Sequence, residues 1–150
     1  MENMEINGVE TAEARRYDTL ALSPEVMGAL QNKGYEVATP IQSGCIPFLM
    51  DDQDVVAKAP TGTGKTCAFG IPLVLGVQQD KKYPQAVVMA PTRELAQQIG
   101  EVCTAIAAST HHRILTVVGG LSYTPQINKL KHGVDILIAC PGRLNDLIGQ

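Results

Sequence analysis

The chain carries no surplus of positive charge: 12 lysines and arginines stand against 15 aspartates and glutamates, a net of −3. This excludes the broad basic field with which many nucleic-acid binders gather phosphate, so any such contact has to be local. Long apolar runs are missing as well. None reaches the roughly 20 residues of a membrane span, and Met1–Glu10 is acidic without a signal-peptide core. The sequence therefore reads as a soluble cytoplasmic protein (nuclear in a eukaryotic source) with no membrane partner. Cysteine is scarce and scattered. Cys45, Cys67, Cys103 and Cys140 form neither a Cys-x-x-Cys pair nor a disulfide framework, so reduced, buried thiols are expected. No internal repeat, low-complexity segment or interdomain linker is present. His111, His112 and His132 match no motif and are expected on the polar surface, as are Asp51-Asp52 and Lys81-Lys82 in solvated loops.

What remains is enough for one domain: 150 residues, 45% hydrophobic. Residues 1–16 are polar, lack periodicity and read as a flexible leader, leaving residues 17–150 as the domain. Ser23-Pro24 opens a helix, with Ser23 as cap, Pro24 at the first position, Leu22 and Met27 as a hydrophobic staple, and Gly34 as the stop. Thr39-Pro40 opens a second helix through about Met50, which Pro47 should bend or shorten. Short β-branched runs then predict strands at Asp54–Ala59, Ala86–Ala90, Arg113–Val118 and Val134–Ala139. Helices are predicted at Lys65–Val77 (weakened late by Pro72), Arg93–Ala108, Pro125–Lys131 and from about Gly142. This alternation predicts an α/β fold, a parallel sheet with helices on both faces.

The segment Ala59-Pro60-Thr61-Gly62-Thr63-Gly64-Lys65-Thr66 joins the first of these strands to a helix. Glycines on such a turn leave backbone N–H groups free to surround phosphate oxygens, and the helix N-terminus adds partial positive charge. Lys65 can reach the outer phosphates of a nucleoside triphosphate, and the Thr66 hydroxyl can ligate Mg²⁺. The loop departs from the strict pattern in having Ala59 where glycine is usual.

Four further segments accompany it in fixed order: Gly34-Tyr35 with Thr39-Pro40-Ile41-Gln42, then Pro91-Thr92-Arg93-Glu94-Leu95-Ala96, Gly119-Gly120, and Cys140-Pro141-Gly142-Arg143. Together with the phosphate loop they resemble the first RecA-like P-loop NTPase domain of DEAD-box ATP-dependent RNA helicases, over about Tyr17 to Leu147. The resemblance implies a cofactor-binding set of Tyr17, Tyr35, Gln42, Thr61, Gly62, Thr63, Gly64, Lys65 and Thr66 for ATP and Mg²⁺. Lys65 and Thr66 are the catalytic members and Thr66 the metal ligand. In that family Gln42 corresponds to the amide that reads the adenine edge. Tyr35 and Tyr17 would lie beside the base, Tyr17 where the family usually has Phe. Pro91, Thr92, Arg93, Gly119, Gly120, Pro141, Gly142 and Arg143 match segments that touch the RNA backbone independently of sequence. The physical logic agrees, because these segments follow the carboxyl ends of strands, where open parallel sheets bind ligands. Glu94 reads as a helix-start acid.

Two departures stand out. Cys140 takes the place of threonine before Pro-Gly-Arg, and a thiol is a weak donor. The sequence also ends before an Asp-Glu-Ala-Asp motif, the Ser-Ala-Thr motif and the second RecA-like domain would appear, so an incomplete domain is expected. On that reading these 150 residues bind nucleotide better than they hydrolyse it, and are unstable or self-associating alone. The alternatives are a non-catalytic nucleotide- or RNA-binding chain and another kind of P-loop ATPase, which Gly34–Gln42 argues against.

Overall fold

The computed structural model describes residues 12–150; Met1–Thr11, most of the expected leader, lie outside the described residues. By its contacts the chain divides into two compact units, Met1–Gly76 and Val77–Gln150.

In the first unit Arg15 and Arg16, expected within the leader, take part in a sheet. Arg15–Arg16 form strand β1, antiparallel to β2 (Val37–Ala38), with Arg15 opposite Ala38. Pairing of the backbone, not any apolar pattern, orders these two exposed arginines. Helix α1 (Pro24–Asn32) begins where Ser23 Oγ accepts from the Val26 N–H at 3.4 Å. It ends in a Schellman arrangement: the Gly34 and Tyr35 N–H groups donate to Gln31 O and Leu30 O, both at 2.9 Å. Gly34 sits at φ +73°, a left-handed conformation that glycine adopts without a Cβ penalty.

Helix α2 (Pro40–Met50) runs through Pro47, and α3 (Lys65–Gly76) runs through Pro72; neither proline shortens its helix. Each costs one backbone N–H donor. Burial on the same helices offsets that cost, through Ile41, Cys45 and Ile46 on α2 and Ala68, Ile71 and Val74 on α3. The strand expected at Asp54–Ala59 is absent. Val55 and Ala59 pack on the Ile41–Cys45–Ala68 cluster, whereas Val56 is 84% exposed and no described strand pairs with the segment. A strand needs a ladder partner for its N–H and C=O groups, and residue type alone cannot supply one.

The second unit is built on a parallel sheet of β3 (Ala86–Met89), β4 (Ile114–Val117) and β5 (Ile136–Ala139), in the order β3-β5-β4. The central strand β5 is buried at every position, with Ile136 opposite both Ala86 and Ile114. Helix α4 (Arg93–Ile106) buries Ala96, Ile99, Gly100, Cys103 and Ile106, the stripe of a helix lying on a sheet. Its approach is close: a Cβ on Gly100 would lie 2.2 Å from Thr116 Oγ1 on β4. Helices α5 (Tyr123–His132) and α6 (Pro141–Ile148) complete the unit.

Under the amino ends of β4 and β5, Asp135 (1% exposed) binds Arg113 by three bonds: to its backbone N–H at 2.8 Å, Nε at 3.1 Å and Nη2 at 2.8 Å. Burial by itself raises the Asp135 pKa, but the hydrogen bonds from Arg113 outweigh it and hold the carboxyl below its ordinary value. Among the described residues no helix is long and apolar enough to cross a membrane.

Candidate nucleotide and RNA sites

The first unit assembles the phosphate loop around a helix cap. Thr39 precedes α2 and Gln42 is its third residue, so the Gln42 side chain reaches back and accepts from the Thr39 N–H at 2.9 Å. The Thr39 hydroxyl donates to Thr63 O at 2.8 Å, and Gln42 Nε2 donates to Gly64 O at 3.1 Å. The start of one helix thereby holds the loop that starts the next. Gly62 and Gly64 take φ of +82° and +84°, and a Cβ on Gly64 would lie 2.3 Å from Gln42 Nε2. Only glycine fits that approach. Thr63 Oγ1 donates to Pro60 O at 2.7 Å, closing the turn. Lys65, the first residue of α3, donates its ammonium to Ala59 O within the same loop. Thr61 and Gly62 are exposed, and Thr63, Gly64 and Thr66 are half-buried.

The two tyrosines expected beside a base differ. Tyr35 is 46% exposed, just past the end of α1. Tyr17 is 1% exposed, and its hydroxyl donates to Gln42 Oε1. Burial leaves its ring no open face, so in this arrangement it acts on Gln42 and not as a stacking platform. Burial first, then the nearby Cys67 and Tyr35, push the Tyr17 phenol well above its ordinary range and keep it a donor. Burial also raises the thiols of Cys67 and Cys45. Among the described residues no group of three His, Cys, Asp or Glu side chains could hold a metal ion.

In the second unit all three parallel strands end on one edge, and each delivers an expected segment there. Pro91, Thr92 and Arg93 follow β3, Gly119-Gly120 follows β4, and Pro141, Gly142 and Arg143 follow β5. Thr92 caps α4 by accepting from the Leu95 N–H at 3.2 Å. The Arg93 side chain reaches Gly120, where a Cβ would lie 2.9 Å from Arg93 Nη1.

Arg143, expected as a charged donor to the RNA backbone, is 6% exposed. Its Nη2 donates to Leu121 O at 2.9 Å and its guanidinium lies 3.9 Å over the Tyr123 ring, while the Tyr123 hydroxyl donates to Asp146 at 2.9 Å. Arg143 thus braces the loop after Gly120 through a carbonyl and a ring face. Cys140 stands at the cap of α6 with no side-chain bond to the helix, as befits a sulfur that accepts weakly from backbone N–H groups.

Sequence reasoning missed the bond from Tyr17 to Gln42 and the seating of Arg143 on Tyr123. The reach of Gln42 back to Thr39 carried a legible signal, the Thr-x-x-Gln spacing of a capping box.

The protein-family model for DEAD/DEAH box helicases matches residues 39–150. The ATP-dependent RNA helicase CshA of Limosilactobacillus reuteri is 41% identical over 135 residues, covering 90% of this chain and 27% of that protein. The DEAD-box ATP-dependent RNA helicase CshA of Geobacillus kaustophilus is 43% identical over 134 residues, covering 89% of this chain and 29% of that one. Among solved structures, a DEAD box protein from Methanococcus jannaschii superposes with a TM-score of 0.83 at 36% identity, over 89% of this chain and 37% of the other. The RNA helicase Prp28 of Chaetomium thermophilum, bound to ADP, gives a TM-score of 0.83 at 35% identity, over 90% and 34% of the two chains. The chain thus spans between a quarter and two fifths of the length of these relatives. The family match, the level of identity and the shared RecA-like α/β architecture agree, and the chain belongs to the DEAD-box helicase family.

Proposed function

We propose that this chain forms the ATP- and RNA-binding part of a cytoplasmic RNA helicase, in which binding and hydrolysis of ATP are coupled to local separation of an RNA duplex. The observation that carries the reading is the pair of hydrogen bonds from Thr39 to Thr63 and from Gln42 to Gly64. It joins a base-reading amide to a phosphate-binding loop in one rigid assembly. The loop amides, Gly62 to Lys65, surround the phosphates. Lys65 leaves Ala59 O for the outer phosphates, the Thr66 hydroxyl holds Mg²⁺, and Tyr35 lies beside the base. Mg²⁺, when bound, supplies charge that offsets the phosphate oxygens. At the other unit, Pro91, Thr92, Arg93, Gly119, Gly120, Pro141 and Gly142 meet the RNA backbone through helix N-termini, loop N–H groups and the Arg93 guanidinium, with Arg143 holding the loop in shape. Such contacts read no base, which fits an enzyme acting on many RNAs and suits a chain with no basic field. A second RecA-like domain is the partner that completes hydrolysis.

In the full-length protein, Gln42→Ala is expected to raise the Michaelis constant for ATP by about tenfold, since it removes both the base contact and the brace on Gly64. An unchanged constant overturns the base-reading role.

A further inference from the structure

The amino ends of β3, β4 and β5 carry a charge opposite in sign to that of the whole chain. Three segments meet there: Gln78–Gln85 before β3, Thr110–Arg113 before β4, and Asn128–Asp135 before β5. Together they hold five lysines and arginines against two aspartates, a local net of +3 in a chain whose net is −3. Arg113 draws them together. Its Nη2 donates to Lys81 O and its Nη1 to His132 O at 3.1 Å, while Nε and Nη2 bind Asp135. Gly133, at φ +98°, leaves the guanidinium its room, since a Cβ there would lie 2.4 Å from Arg113 Nη1. The first segment is also closed on itself: the Gln78 N–H donates to Gln85 Oε1 at 3.0 Å, and Gln85 Nε2 to Gln78 O at 2.7 Å.

Arg113 and Asp135 neutralise each other, so the sign of the patch comes from its lysines. Lys82, Lys129 and Lys131 are exposed, Lys81 is half-buried, and among the described residues none of the four is in an ion pair. Asp80 is the only exposed acid of the three segments. Lysines in the last turn of a helix complement its dipole, which accounts for Lys129 and Lys131 on α5. Lys81 and Lys82 have no helix to serve. Beside them Tyr83 is 59% exposed, its ring held out in water by the closed loop. Unpaired lysines around an exposed aromatic suit single-stranded nucleic acid, whose phosphates meet the cations while the ring takes the face of any base. An acidic protein segment would engage the lysines but give the ring no flat partner. We infer that this amino-end surface is a second RNA contact, which takes the single-stranded flank of an RNA held at the carboxyl edge. The inference rests on the proposed RNA reading of that edge. The two surfaces are opposite ends of the same three strands, each four residues and so about 13 Å long. RNA held at one end is at high effective concentration at the other, so weak contacts suffice.

The test compares two oligouridylates on the full-length protein, one of about ten nucleotides and one about twice as long. Fluorescence anisotropy at several salt concentrations gives each Kd and its salt slope. Lys81→Gln, Lys82→Gln and Lys131→Gln together are expected to weaken the longer RNA about tenfold and to flatten its salt slope by about 2. They are expected to leave the shorter RNA, and the ATPase it stimulates, unchanged. Tyr83→Ala is expected to weaken the longer RNA alone, again about tenfold, and Tyr83→Phe, which keeps the ring, to restore it. If the triple variant binds both RNAs as the parent does, or weakens both alike, the inference is overturned. If poly-glutamate displaces the longer RNA from the parent as well as polyuridylate does, the surface fits an acidic protein instead, and the inference is overturned. Arg93→Ala, at the carboxyl edge, is expected to weaken both RNAs. If it weakens neither, the reading of that edge fails and takes the inference with it. If it weakens both while the lysine and tyrosine variants change nothing, the inference fails and the edge reading stands.

Discussion

The two units hold their functional loops by different means. In the first, the phosphate loop follows a segment with no strand partner among the described residues and is held by side chains, through Thr39 to Thr63 and Gln42 to Gly64. In the second, three loops leave a parallel sheet whose ladders fix their starting points, and side chains such as Arg143 only trim their paths. A loop tied by two hydrogen bonds is vulnerable to single atoms. A loop anchored by strands is vulnerable mainly through the packing and ion pairing beneath them.

The sharpest way to break this comparison is Gly64→Ala. The added methyl would lie 2.3 Å from Gln42 Nε2 on a backbone at φ +84°. ATP binding is expected to weaken on the order of a hundredfold, from left-handed strain plus displacement of Gln42. Calorimetry with ATP checks it, and near-normal binding would show that the loop does not depend on its side-chain ties.

Next in size is Gly100→Ala, which drives a methyl to 2.2 Å from Thr116 Oγ1 between α4 and β4. A loss of about 1–3 kcal/mol in urea unfolding is expected, with nucleotide affinity intact. Thr116→Ala in the same chain should recover part of it. Failure of that rescue would place the cost in the helix instead of the packing.

The smallest effect concerns pH. Asp135 is held below its ordinary pKa in the folded state, so its stabilising contribution is present above the unfolded value of about 3.9 and is lost as pH falls through the folded one. Asp135→Asn should therefore lower the melting temperature at neutral pH and flatten its decline in acid. An acid limb as steep as that of the parent chain would count against the pair as its source.

How much of this was legible in the chain follows from the range of the forces involved. Helix starts at Ser23-Pro24 and Thr39-Pro40 and the stop at Gly34 are local signals, written in adjacent residues, and α1 and α2 appear where they point. The apolar runs that became β3, β4 and β5 were legible because burial on both faces leaves a compositional mark. Asp54–Ala59 carries the same mark and forms no strand, since pairing depends on a neighbour that composition does not reveal. The phosphate loop could be read from spacing, and the role expected of Gln42 came from the family resemblance. The burial of Tyr17 could not, because its partner lies 25 residues away. The seating of Arg143 was hidden for the same reason: the ring that takes its face belongs to Tyr123, outside its motif.

The strand order also carries a consequence in time. The middle strand β5 is the last of the three to leave the ribosome, so β3 and β4 emerge with no parallel neighbour between them. A nascent chain leaves the backbone edge of β3 without its β5 partner until Ile136–Ala139 arrive, across a separation of about 50 residues. Assembly of the sheet is therefore a late, single event in synthesis. Until it happens, the segments proposed to meet RNA have no common edge to share.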